Sequence, residues 1–398
     1  MIHPARRTHE VRYAVRDVLK YANEAKAEGK ELLYLNIGDP NKFDFSTPPH
    51  MIEAAYKAML DNQNGYTNSS GIEPARESIE RYAVSKGLKN IQDIFVTYGA
   101  SEAIDTCMTS LVNAGEEVLT PAPGYPLYDA ILAKLEAVDV SYYLDEDNNW
   151  MPDIEDIKSK ITRKTRAIVV INPNNPTGSL ATRDLLEEIV KISLENDIVI
   201  FADEIYDRMV YDGREHISIA SLSDEAPIIT FNGLSKNFLA PGFRIGWGVV
   251  TGNKNQLSEL VEGINKFLRA RLCAPGPLQY AIPAALDGPK DHIPVMMEKL
   301  TRRRDITWER LNSIPHISCV KPQGAFYAFP KLEIEETDTE FIEGLIKETG
   351  VVCVHGDGFG QKPGTRHLRF VYLPPEDILE RAFSNIESYM KSRVGTSA

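Results

Sequence analysis

Residues 166-RAIVVINPNNPTG-178, 183-RDLLEEIVKISLE-195 and 198-IVIFADEIY-206 decide how this chain folds. Ala167–Ile171 and Ile198–Ala202 are continuous apolar runs rich in β-branched residues, with no polar alternation. That pattern fits strands buried on both faces. Between them, Leu185, Leu186, Ile189, Val190 and Ile192 recur at helical spacing and give one apolar face. Strand, amphipathic helix and strand in succession predict a parallel pair with its helix packed across the sheet. Each strand runs into a polar loop, and ligands of open α/β sheets bind beyond the carboxyl ends of strands.

The same alternation extends outward over about 47–270. Further strands are expected at Asp93–Tyr98, Glu117–Pro121, Val138–Leu144, Ile228–Asn232 and Arg244–Val250, and a further helix at Glu102–Asn113. This predicts an α/β fold with a mostly parallel sheet flanked by helices. The ends of the chain read differently. A helical pattern at Val11–Glu28 precedes a short strand at Glu31–Ile37. After Pro289 come a charged helix at Met296–Asn312, strand pieces near Ser318–Lys321, Ala325–Phe329, Val351–His355 and His367–Tyr372, and a last helix at Glu376–Lys391. That α+β order predicts a large domain over residues 45–285 and a small α+β domain built from 1–44 and 286–398.

The chain has 398 residues and a net charge of −13, from 44 basic and 57 acidic side chains. An acidic surface disfavours general nucleic-acid binding, which depends on concentrated positive charge. The longest basic cluster, Arg302-Arg303-Arg304, reads as a solvated helix face. No apolar run approaches the ~20 residues of a membrane span, and the first residues lack the apolar core of a signal peptide. The four cysteines, Cys107, Cys273, Cys319 and Cys353, form no CxxC pair. These features point to a cytoplasmic protein with neither a nucleic-acid nor a membrane partner. The eight histidines show no metal-ligand spacing, and 356-GDGFG-360 reads as a flexible loop.

Five features carry chemistry. In 98-YGASE-102 a strand turns into a helix, where small residues and a helix N-terminus suit an anion. Two Asn-Pro steps in 172-NPNNPTG-178 force a non-helical loop that can hold an Asn amide rigidly. Asp203 ends an apolar strand, where a carboxylate needs a cation, and Tyr206 follows three residues later. In 231-FNGLSK-236 and 241-PGFRIGW-247, Lys236 stands eight residues before Arg244. A desolvated lysine beside another cation has a lowered pKa and becomes nucleophilic. Finally, Arg369 lies within the apolar strand of 367-HLRFV-371 and needs an anion such as a carboxylate. Each feature alone has a plain structural alternative, respectively an N-cap, a turn, a strand-end cap, two solvated cations and an internal salt bridge. Together they match the parts of a pyridoxal phosphate (PLP) site acting on an amino acid.

At these motifs the sequence resembles class I/II aminotransferases of the aspartate aminotransferase fold, a fold type I PLP-dependent transferase, and within them the microbial alanine aminotransferases. Further supporting stretches are 35-LNIGDP-40, Phe231–Lys236, 271-RLC-273 and 319-CVKPQGA-325. The resemblance implies covalent attachment of PLP at Lys236, which also moves the proton. It implies a pyridinium partner in Asp203, and Tyr206 and Asn175 on the ring oxygen. Tyr125 would stack on the ring, with Gly99, Ala100, Ser101, Ser235 and Arg244 around the phosphate. Arg369 would hold the substrate carboxylate beside Gly38 and Asn175. Tyr66 would reach the phosphate of a neighbouring subunit in a homodimer. Gly233 stands where many relatives carry a phosphate-binding hydroxyl. No arginine is distinctive for a dicarboxylate side chain; Arg269 and Arg271 lie in a suitable region, and a structural role is the alternative for each. The implied reaction passes an amino group, from alanine, to a 2-oxo acid such as 2-oxoglutarate with ping-pong kinetics. Aspartate or aromatic aminotransfer is the alternative, and C–S lysis a more distant one.

Overall fold

The computed structural model describes residues 2–11 and 18–394. Its centre is an eight-stranded sheet. The strands are β1 (Ile91–Tyr98), β2 (Glu117–Ala122), β3 (Val138–Asp145), β4 (Met151–Pro152), β5 (Thr165–Ile171), β6 (Val199–Asp203), β7 (Ile228–Gly233) and β8 (Ile245–Thr251). Their spatial order is β1-β8-β7-β6-β5-β2-β3-β4. Pairs β7–β6, β6–β5, β5–β2 and β2–β3 are parallel, and β1–β8, β8–β7 and β3–β4 are antiparallel.

The apolar runs form the sheet centre because both of their faces are covered. Ala167, Val169 and Ile171 join Val199 and Phe201 in one packed cluster, while Ile168 and Val170 join Ile200 and Ala202 in another. Successive side chains of a strand point to opposite faces, so an unbroken apolar run feeds two cores at once. The helix Arg183–Asn196 buries Leu186, Ile189, Val190 and Ile192 and ends at Asp197, whose φ of 54° breaks the helix. Of the early helical expectation, Leu19–Ala27 is helical, and 12–17 lie outside the described residues.

A third cluster gathers residues from both chain ends, including Val18, Leu33, Leu35, Leu345, Val351 and Phe383. Leu33–Tyr34 pairs in parallel with Val351–Val352, and Leu368–Val371 lies between Tyr327–Ala328 and Val354–His355. The expected strand Val351–His355 is thus two short pieces facing different partners.

Two expectations fail here. Arg303 and Arg304 are each only 1% exposed, not solvated. Their helix, His292–Ser313, aims both forks inward. Arg303 grips Asp44 through two 2.8 Å bonds, and Arg304 grips Asp212 likewise. Bidentate pairing lets an arginine sit where water cannot reach it. Nor is 356-GDGFG-360 a loose loop: it forms a tight turn that buries Phe359.

Candidate active site

The carboxyl ends of β5, β6 and β7 open onto one cleft of about 930 Å3, mouth included. Lys236 reaches it just past β7, and its Nζ donates to the Gly38 carbonyl at 2.7 Å. Desolvation lowers the amine to about 8, with Arg369 and Arg244 assisting and Asp39 and Asp203 opposing. At the end of β6, Asp203 is buried and pushed up to about 6 by that burial. It accepts from the Ile205 amide at 3.3 Å and the Tyr128 hydroxyl at 3.2 Å.

The loop after β5 divides its three asparagines by task. Asn172 Oδ1 accepts from the Ala181 amide at 2.9 Å, and Asn174 Oδ1 accepts from the Thr177 hydroxyl at 2.8 Å. Both amides hold the loop. Asn175 faces the cleft, where its Oδ1 accepts from Arg369 Nη1 at 3.2 Å. Arg369 is buried, donates Nη2 to the Asn36 carbonyl at 2.8 Å, and lies against the rings of Tyr327 and Phe359 at 4.8 and 4.7 Å.

The opposite wall is the N-terminus of the helix Ala100–Leu111, which presents Ala100 and Ser101 to the cleft. Close backbone packing places it there. A Cβ on Gly246 of β8 would lie 2.1 Å from the Ala100 amide nitrogen and 2.4 Å from the Gly99 carbonyl carbon. Gly99 has φ 79° and lies beneath Arg244, whose Nη2 would be 2.4 Å from a Cβ there. Arg244 itself takes the left-handed conformation at φ 53° and donates to the Pro241 carbonyl at 2.9 Å. A phosphate suits this corner, which offers helix N–H groups, a hydroxyl and a guanidinium.

The family profile described as "Aminotransferase class I and II" matches residues 30–386. The chain belongs to that family. It is 39% identical to the "Glutamate-pyruvate aminotransferase AlaA" of Haemophilus influenzae over 381 residues, covering 94% of each chain. It is 38% identical to the "Alanine aminotransferase" of Mycobacterium bovis over 393 residues, covering 96% of this chain and 91% of that one. The solved alanine aminotransferase of Pyrococcus furiosus superposes with a TM-score of 0.94 at 44% identity, covering 98% of this chain and all of that one. A Thermus thermophilus aspartate aminotransferase mutant shares the fold at TM-score 0.89 and 28% identity, covering 98% of this chain and 100% of the other. The protein is therefore an aminotransferase, with the fold its sequence motifs imply.

In this aminotransferase the cleft gathers Gly38, Ala100, Ser101, Tyr125, Asn175 and Asp203, and with them Tyr206, Ser235, Lys236, Arg244 and Arg369. Gly99 sits behind Ala100 at the turn. Tyr66 is not brought to the cleft and is 85% exposed. Neither Arg269 nor Arg271 lines the cleft: Arg269 pairs with Glu262 at 2.7 Å, and Arg271 with Glu102 at 3.3 Å and the Val96 carbonyl at 2.7 Å. Gly233 is fixed by packing: a Cβ there would lie 2.8 Å from the Ile245 carbonyl oxygen.

Three site residues escaped sequence reading. Tyr128 bonds Asp203, Phe359 backs Arg369, and the Tyr327 hydroxyl lies 2.8 Å from that of Tyr206. Only Tyr128 left a signal, a second tyrosine three residues beyond 124-GY-125. A further buried tie lies behind the cleft. Asn237 donates to Asp207 at 2.6 Å, joining the residue after Lys236 to the residue after Tyr206.

Proposed function

We propose that this aminotransferase uses pyridoxal 5'-phosphate and takes L-alanine as amino donor, passing the amino group to a 2-oxo acid such as 2-oxoglutarate in ping-pong fashion. The observation that carries the cofactor reading is Asp203. Its carboxylate is buried, accepts from two neutral donors, and has Lys236 as the cation acting on it. A ring nitrogen that carries a proton supplies the missing partner. The anion corner and the lysine stand in the same cleft.

When bound, PLP supplies an electron sink that acidifies the substrate Cα–H. Lys236 would hold the cofactor through Nζ and, once freed from it, would take up the substrate Cα proton on Nζ and hold it for transfer. An amine near pKa 8 is poised for both uptake and release. Asp203 would accept from the ring N–H, Tyr206 and Asn175 would donate to the ring oxygen, and Tyr125 would cover the ring face. Gly99, Ala100, Ser101, Ser235 and Arg244 would receive the phosphate. Arg369, flanked by Gly38 and Asn175, takes the substrate carboxylate through its fork.

Alanine is favoured over aspartate as donor on two grounds. The relatives above bear alanine-directed names. Among the described residues, the cleft lining has no arginine beyond Arg244 and Arg369 for a second carboxylate. We further propose a cytoplasmic homodimer. Ile52, Tyr56 and Leu60 are exposed on the helix Pro49–Leu60, and Tyr66 is exposed nearby in sequence. An uncovered apolar surface of this kind suits a subunit contact, through which Tyr66 would reach the partner's phosphate. No described helix is long and apolar enough to cross a membrane. Residues 45–285 would act as the cofactor-binding domain, and 1–44 with 286–398 as the small domain.

The test is a single turnover. Cofactor-loaded enzyme mixed with L-alanine alone should release one pyruvate per site and stop, and initial-rate plots with acceptor should be parallel. Faster half-reaction with aspartate or phenylalanine would overturn the donor assignment. Continuous release of pyruvate, ammonia and thiol from an S-alkyl cysteine without acceptor, with no half-reaction on alanine, would indicate a C–S lyase instead.

A further inference from the structure

Tyr327 stands where three functional groups meet. It opens the short strand Tyr327–Ala328 and pairs in register with Val371, so Arg369 is its diagonal neighbour across the strands. Its ring lies 4.8 Å from the Arg369 guanidinium carbon. Its hydroxyl is 2.8 Å from the Tyr206 hydroxyl, and a Cβ on Gly38 would come within 2.7 Å of it. The residue lines the same cleft as Lys236.

Two hydroxyls 2.8 Å apart share one proton between them. Under the reading above, on which this inference rests, Tyr206 gives its only proton to the ring oxygen of the cofactor. The proton in the Tyr206–Tyr327 bond must then come from Tyr327. We propose that Tyr327 is a positioning residue: its hydroxyl donates to Tyr206 Oη, which turns the Tyr206 proton into the cleft and makes Tyr206 a stronger donor. Burial keeps Tyr206 protonated far above neutrality, so the proton is there to be directed. A hydroxyl that accepts one hydrogen bond donates the next more strongly. The ring of Tyr327 meanwhile packs against the carboxylate-binding arginine, so one side chain braces both the cofactor contact and the substrate contact.

The experiment uses the cofactor-loaded enzyme and follows the pH midpoint of its visible absorbance change, together with the KM for L-alanine. A donor on the ring oxygen stabilises its deprotonated form and lowers that midpoint. Tyr327→Phe keeps the ring against Arg369 and removes only the hydroxyl. It should raise the midpoint by roughly half to one pH unit and leave KM within about twofold. Tyr206→Phe should raise the midpoint further, and adding Tyr327→Phe to Tyr206→Phe should change nothing more. A midpoint unmoved by Tyr327→Phe but raised by Tyr206→Phe overturns the role of Tyr327 alone. A midpoint unmoved by either variant overturns the assignment of Tyr206 to the ring oxygen, and this proposal with it. A raised KM with an unmoved midpoint would make Tyr327 a support for Arg369 only and would also overturn it.

Discussion

Replacing Gly246 with alanine should cripple cofactor binding without unfolding the protein. The added methyl would sit 2.1 Å from the Ala100 nitrogen, 2.4 Å from the Gly99 carbonyl carbon and 2.9 Å from the Ala100 Cα. All three are backbone atoms, so no side chain can rotate away. Real contacts of a Cβ stay at about 3.0 Å or more, so the turn must retreat by about 0.9 Å from its present position. A phosphate hydrogen bond of ~2.9 Å would then stretch to ~3.8 Å, beyond any bonding distance. Charge-assisted bonds are worth ~1.5–3 kcal/mol each. Losing two, with part recovered by relaxation, is a loss of ~3 kcal/mol, or on the order of 100-fold in the Kd for PLP. The overpacking itself should cost ~1–3 kcal/mol of apoenzyme stability. Fluorescence titration of apoenzyme with PLP measures the first quantity, and urea unfolding the second. Gly242→Ala is the control, since a Cβ there meets nothing within 4 Å. A folded Gly246→Ala enzyme that binds PLP within about threefold of wild type would refute the placement of the phosphate against the Gly99–Ser101 turn.

Asp203→Asn should separate stability from function. Folding raises the Asp203 pKa from 3.8 to about 6, so the folded state binds its proton more tightly than the unfolded chain, and that stabilisation is lost as pH rises through about 6. At pH 8 the apoenzyme variant should therefore be more stable to urea than wild type, by ~1–3 kcal/mol, with the difference shrinking as pH falls through about 6 toward 3.8. Its turnover should nevertheless fall at least ~100-fold; an apoenzyme less stable than wild type at pH 8 would contradict the desolvation argument. Lys236 of the apoenzyme should react with an acylating reagent along a curve centred at about pH 8, being protonated below and neutral above. Peptide mapping that shows its reactivity still climbing beyond pH 9.5, as an ordinary lysine of pKa ~10.4 would, would reject a desolvated amine. Arg304→Ala leaves Asp212 without its fork and empties a buried volume, so thermal unfolding should show a loss of ~2–3 kcal/mol; an unchanged Tm would mean the pair is idle.

The sheet was legible because its central strands satisfy one simple condition. A strand covered on both faces is mostly apolar, and Ala167–Ile171 of β5, Val199–Ala202 of β6 and, with Thr230 as the exception, Ile228–Phe231 of β7 meet that condition. Asp203 stands out because it ends such a run at the cleft, and Lys236 because it follows one in the loop just past β7. The small strands were read with looser limits because they pair over two residues, too few for a period to develop. Arg303 and Arg304 were misread for a different reason. Their partners, Asp44 and Asp212, lie far away in the chain, and charge on a helix announces a solvated face unless the partner is known. Tyr327 left no signal because an aromatic residue in an apolar strand reads as core, and its contact with Arg369 exists only after the strands assemble. Phe359 was hidden in a glycine-rich segment that reads as a loose loop, although the turn folds its ring against Arg369.

Under the proposed reaction, the charges at the cleft would partly offset one another at the lysine as ligands arrive. In the free protein, Arg369 and Arg244 push the Lys236 proton off, while Asp39 and Asp203 hold it on. Each ligand charge in the proposed reaction cancels one of these influences. A phosphate beside Arg244 and a carboxylate on Arg369 both weaken the pressure to lose the proton and would make the amine more basic. A ring N–H on Asp203 weakens the pull that retains the proton and would make it less basic. Arg244, Arg369 and Asp203 would each be met by a ligand charge of the opposite sign while Asp39 would not, so the effects partly oppose each other as the cleft fills. A lysine tuned by desolvation alone would instead drift upward as soon as an anion bound near it. The acidic surplus of the chain does not set this balance, since screening confines exposed charges to about 10 Å; burial of the amine and the four charged residues around it do.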